Sequence, residues 1–163
     1  VAVVAGALLD GADRSTLTQH RFAEEQVLLH ALVNRWWPRA LGTTPMGMAR
    51  AITLRSGGVR YRWRLWRGRR DRLIDVLAAV DAGRPVALLV GRFIPRHWVL
   101  VVEVSPRRGR RTDMAQLRCY EPSSGEVRSV AVDAVRRARM TGVGYPRVFA
   151  VVLPSSSTRS ATA

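Results

Sequence analysis

From Pro85 to Leu153 the chain is a succession of short apolar runs: Val86–Val90, Trp98–Val104, Gln116–Glu121, Glu126–Val130 and Val148–Leu153. Turn chemistry separates them, and each reads as a strand. One short helix, near Val132–Arg139, interrupts the series. Before Pro85 the patterns are helical, apart from one strand-like alternating run at Val59–Trp66. Helices first and strands second is the order of an α+β domain with an antiparallel sheet.

The N-terminal half is read from its caps and periods. Val1–Leu9 is an apolar, small-residue segment that suits either a buried helix or a buried strand, and Asp10–Asp13 is a turn. A long helix is expected over Gln19–Trp37, with Phe22, Leu29, Leu32, Val33 and Trp36 as its apolar stripe and Pro38 as its stop. Thr43-Thr44-Pro45 reads as a cap followed by proline at the first helical position, opening a helix to about Thr53. Val59–Trp66 alternates. Val59, Tyr61, Trp63 and Leu65 are expected to be buried, with Arg60, Arg62 and Arg64 on a solvated face. Arg70-Asp71 opens the next helix, with Leu73, Val76, Leu77 and Val80 in its stripe and Gly83 closing it.

Composition bounds the function. The 163 residues are 47% hydrophobic and suit one domain, with residues 154–163 as a Ser/Thr/Ala-rich disordered tail. Cys119 is the lone cysteine, so an internal disulfide and a zinc ribbon are excluded, and a reducing compartment such as the cytoplasm suits it. No apolar run is long enough to span a bilayer. The formal net charge is +15, and all 27 basic residues are Arg. Such a chain attracts polyanions in a salt-dependent way, although GC-rich coding also favours Arg over Lys.

The informative pair is His97 and Glu121. Their strands flank the Pro/Gly/Arg-rich segment Ser105–Asp113. A hairpin centred near Gly109 sets His97 opposite Glu121 and Val101 opposite Leu117. A carboxylate beside an imidazole orients the ring, fixes its tautomer and stabilises the imidazolium. The turn Glu121-Pro122-Ser123-Ser124-Gly125 would hold that carboxylate at the strand end. The alternative is a histidine that ends a strand and a glutamate that starts a turn, with nothing linking them; a one-residue slip would separate their faces.

Several segments in order carry a resemblance: a small-residue helix, a Gly-Thr-Thr-Pro helix, Gly83-Arg84-Pro85-Val86, His97-Trp98-Val99-Leu100-Val101-Val102 and Cys119-Tyr120-Glu121-Pro122-Ser123-Ser124-Gly125. Over roughly Val1–Leu153 the chain resembles papain-like cysteine peptidases of the bacteriocin-leader-processing type, most closely the actinobacterial peptidase-like proteins. The resemblance implies one papain-like domain over residues 1–153, with N-terminal helices packed on a C-terminal antiparallel sheet. It implies thiol hydrolysis of peptide bonds in a peptide or protein substrate, without a cofactor. By position, His97 corresponds to the general base and Glu121 to its orienting partner, where the family usually has Asp. The family's Cys opens the first helix, with a Gln just upstream as oxyanion donor. Val1–Ala5 looks like the helix that follows that Cys, so both residues are expected upstream of Val1. As given, the chain is expected not to cleave a peptide bond by the family's mechanism. The His97–Glu121 pair is expected beside the amino end of the first helix.

Other residues are weighed in the same way. Cys119 is the alternative nucleophile, but a mid-strand thiol lacks the helix dipole that activates a catalytic cysteine. Arg60, Arg62 and Arg64, with Tyr61, Trp63 and Trp66 interleaved, could bind anions as a basic nucleic-acid or polyanion module; a solvated arginine face is the plainer reading. Arg107–Arg111 is a charged hairpin tip. His20 with Glu24, and His30 beyond them, lack metal-ligand spacing, and no metal site is expected. Ser123 and Ser124 lie in no Gly-x-Ser-x-Gly elbow. Gly142-Val143-Gly144 reads as a bend before the last strand.

Overall fold

The computed structural model describes Ala5, residues 43–105 and residues 115–155. The helix expected over Gln19–Trp37, the Arg107–Arg111 tip, His20, Glu24, His30 and residues 156–163 lie outside the described residues, as does all of Val1–Leu9 but Ala5.

Thr44 starts the first described helix, α1 (Pro45–Leu54). Its Oγ1 accepts the Gly47 N–H at 3.0 Å, and Pro45 occupies a first-turn position where no N–H is needed. Thr53, the penultimate residue of the helix, donates to the Ala49 carbonyl and accepts the Tyr61 N–H, both at 2.8 Å. That hydroxyl fastens α1 to β1 (Tyr61–Leu65).

Helix α2 (Ile74–Asp81) begins later than its apolar stripe predicts. A 3-10 turn occupies Gly68–Arg70, and Leu73 takes a left-handed φ of +56°. The Asp71 carboxylate accepts the Leu73 N–H at 3.1 Å, which holds the chain outside the helix until Ile74.

The remaining elements are β2 (Val86–Gly91), β3 (Pro95–Ser105), β4 (Gln116–Glu121), β5 (Glu126–Ala131), α3 (Val132–Arg136) and β6 (Arg147–Pro154). The six strands make one sheet in the order β1-β6-β2-β3-β4-β5, and every neighbouring pair is antiparallel. The protein is therefore α+β. A 3-10 turn at Thr141–Val143, with Gly144 at φ +80°, supplies the bend before β6. No helix among the described residues is long and apolar enough to cross a membrane.

The sheet separates two apolar layers. Val76 and Val80 of α2 and Val132 and Val135 of α3 pack with Leu88, Val90, Val99, Val101 and Cys119 on one face. On the other, Met48 and Ile52 of α1 and Ala5 pack with Ala87, Leu89, Trp98, Leu100 and Tyr120. Ala5 is helical and fully buried. Every residue of β2 is buried, which is why its sequence is a continuous apolar run without alternation.

Two strand expectations need correction. Tyr61 alone of the Tyr61, Trp63 and Leu65 series is buried; Trp63 and Leu65 are 42% and 67% exposed. Strand β1 lies at the end of the strand order, where one flank has no neighbour among the described strands to help cover them. Conversely, Arg64 turns inward. Its guanidinium meets Asp71 at 2.5 Å and Asp75 at 2.7 Å, while Asp71 is only 4% exposed. The second correction concerns register. Val101 pairs with Cys119 and Leu117 with Val104, across a shift between Val101 and Glu103. Before that shift the ladder is displaced by two residues from the symmetric hairpin. An even displacement conserves which side chains share a face.

The Arg64–Asp71 pair is half of a nearly dry network in which Asp71 also holds the Arg67 and Leu73 N–H groups. Asp71→Ala leaves a buried guanidinium and two backbone donors short of an acceptor. It should cost ~3 kcal/mol in urea denaturation, against ~1 kcal/mol for Asp75→Ala, whose carboxylate is a third exposed.

Candidate functional site

His97 is the third residue of β3, and a backbone constraint fixes where that strand begins. A Cβ on Gly91, at the end of β2, would lie 2.0 Å from the Ile94 carbonyl oxygen and 3.2 Å from the Phe149 ring. Only glycine lets the β2–β3 connection close so tightly. The ladder then pairs Gly91 with Pro95 and Val90 with His97. Trp98, on the opposite face, donates its indole N–H to the Thr43 carbonyl at 2.9 Å and locks β3 to the start of α1.

The His97 ring lies flat against Tyr145, with centroids 5.3 Å apart and planes 24° from parallel. Its Nε2 is 2.5 Å from Glu121 Oε1. The two residues are on one face, related diagonally across β3 and β4. Glu121 ends β4 and is 5% exposed.

The turn after Glu121 wraps its carboxylate. The Ser123 N–H reaches Oε1 at 3.0 Å and the Ser124 N–H reaches Oε2 at 2.9 Å. The Ser123 hydroxyl lies 2.7 and 2.6 Å from the two oxygens. Gly125, at φ +71°, closes the turn by donating its N–H to the Glu121 carbonyl at 2.8 Å. Burial alone would raise the carboxyl's pKa. Hydrogen bonds from Ser123, Ser124 and His97 outweigh it and hold the group at about 2.

The chemistry follows from which nitrogen is engaged. A carboxylate accepts only, so the neutral ring carries its proton on Nε2 and keeps a lone pair on Nδ1. An imidazole oriented in this way presents Nδ1 as a proton acceptor, the geometry a general base requires.

Cys119 plays no part in it. The thiol is fully buried and its pKa is pushed up to about 12 by burial. It sits opposite Val101 within the ladder, its Sγ 4.0 Å from the Leu117 carbonyl oxygen. Cys119 is a core residue and no nucleophile.

Arg64 is likewise committed to Asp71 and Asp75, while Arg60 and Arg62 are exposed. No three His, Cys, Asp or Glu side chains converge among the described residues. The amino end of the first helix, beside which the pair is expected, lies outside the described residues, and of that helix Ala5 alone is described. His97 and Glu121 share the face of Val99 and Cys119, whereas Ala5 packs on the opposite face.

The Ser123 and Ser124 contacts were signalled by the turn motif, which already tied the carboxylate to the strand end. Tyr145 carried no signal, because it enters from a turn distant in the chain. Comparison of the chain with family models, curated proteins and solved structures finds no match.

The depressed pKa of Glu121 makes stability depend on acid. The folded group binds its proton near pH 2 and the unfolded one near 4.5. The contribution is complete above the unfolded value and is lost as pH falls through that window. Urea midpoints measured across it should fall less steeply for Glu121→Gln than for the wild type.

Proposed function

We propose that the chain is a domain related to papain-like cysteine peptidases, with His97 as its general base and Glu121 as the orienting carboxylate. The observation that carries this reading is the 2.5 Å hydrogen bond that ties Nε2 to a locked carboxylate and leaves Nδ1 to act. A thiol supplied from residues preceding Val1 completes a hydrolase of peptide bonds. Nδ1 takes the thiol proton, the thiolate attacks the carbonyl carbon, and the imidazolium returns its proton to the leaving amine. Water then hydrolyses the thioester, with Nδ1 again as base. Without that thiol, the residues present form a catalytically inactive relative that binds peptide.

Fluorogenic peptides presented to the chain alone, and to the chain preceded by its natural upstream coding sequence, separate these states. The chain alone should be inactive. A thiol-bearing extension should give activity that iodoacetamide abolishes. His97→Ala should lower that activity by about 10²- to 10⁴-fold, and Glu121→Gln by a smaller factor. Hydrolysis indifferent to His97→Ala would overturn the proposal.

A further inference from the structure

Residues 60–72 contain seven arginines among thirteen residues, against 27 in the whole chain of 163. What the fold does with the local carboxylates matters more than the count. Both acids of the neighbourhood, Asp71 and Asp75, turn toward Arg64 and bond its guanidinium. Asp71 spends its remaining acceptor capacity on the Arg67 and Leu73 backbone. One arginine thus engages both carboxylates, and neither of them bonds a guanidinium of the other six.

The other six are left exposed. Among the described residues, none of their guanidinium groups has a hydrogen-bond or ion-pair partner. Three arginines elsewhere do pair, Arg118 with Glu103, Arg128 with Glu126 and Arg137 with Asp133, whereas exposed Arg96 and Arg147 do not among the described residues; what distinguishes residues 60–72 is the density of such groups.

We infer that the outer edge of β1 and the turn after it, carrying Arg60, Arg62, Arg67, Arg69, Arg70 and Arg72, form a binding surface for the phosphodiester backbone of nucleic acid. Two elements shape it. Arg60 and Arg62 are alternate residues of the β1 segment, about 7 Å apart, a step comparable to that between successive phosphates of an extended strand. The 3-10 turn, entered through Gly68 at φ +65°, presents the arginines around it to solvent. Trp66, half-buried against the sheet, supplies an apolar plane among them. Unpaired guanidinium groups this dense repel one another, and a polyanion relieves that repulsion while releasing its own counterions. The surface is separate from the His97–Glu121 pair, since β1 and β3 are three strand spacings, about 14 Å, apart in the sheet.

The test is fluorescence anisotropy with a labelled oligodeoxynucleotide, single-stranded and as duplex, over a sodium chloride series. Wild-type log Kd should rise with log salt with a slope of about 4 on the single strand and about 5 on the duplex, as six phosphate contacts require. The tighter arm identifies the form of nucleic acid bound. Arg60→Gln with Arg62→Gln, and separately Arg69→Gln with Arg72→Gln, should weaken binding about tenfold or more and lower the slope by one to two. Circular dichroism would establish that each variant is folded. The charge-matched control is Arg92→Gln with Arg96→Gln, at the β2–β3 connection, which should change binding little. An equal loss in that control, or poly-glutamate binding as tightly as DNA, would overturn the proposal, as would the absence of binding at low salt.

Discussion

The burial of β2 on both faces organises everything else. Val86, Leu88 and Val90 face α2 and α3, and Ala87 and Leu89 face α1 and Ala5, so neither layer can be removed without exposing the middle of the sheet. A half-buried sheet would leave one face free for a binding cleft. Here, chemistry is pushed to the margins: to the strand ends, where His97 and Glu121 meet, and to the outer edge, where the arginines gather. The two margins share no side chain.

At the strand end, one carboxylate serves several donors. Glu121 satisfies two N–H groups of its own turn, a serine hydroxyl and the imidazole. A carboxylate held this way loses little freedom when the ring moves or takes up a proton, because its position is set by backbone. The imidazole, gripped by Tyr145 on its face and Glu121 at Nε2, has one nitrogen left to act. The ring's orientation is thus fixed by the fold itself, through Tyr145 and Glu121.

Much of the fold was legible because its signals are local. Thr44 and Pro45 announced α1 through cap chemistry, and Gln116–Glu121 matched β4 residue for residue. The shared face of His97 and Glu121 was also readable, since it depends only on whether the slip is even. The exact register was not, because the shift between Val101 and Glu103 occurs within an unbroken apolar run. The exposure of Trp63 and Leu65 was hidden for a different reason: the strand order that leaves β1 at the edge is a property of the whole sheet. Arg64 looked like its neighbours Arg60 and Arg62, and only the approach of α2 distinguishes it. The side of the sheet on which Ala5 packs was equally beyond a one-dimensional pattern. No periodicity within a helix says which of two apolar layers it will join.

Gly91 carries a consequence out of proportion to its size. The Ile94 carbonyl occupies the space where any other residue would place its first carbon, so the start of β3, and with it His97, is indexed to a hydrogen atom. Adding a methyl there would leave every polar group of the pair intact, yet it would drag the imidazole out of alignment with a carboxylate that cannot follow. The least reactive position in the sheet thereby acts as the gauge against which its most reactive ring is set.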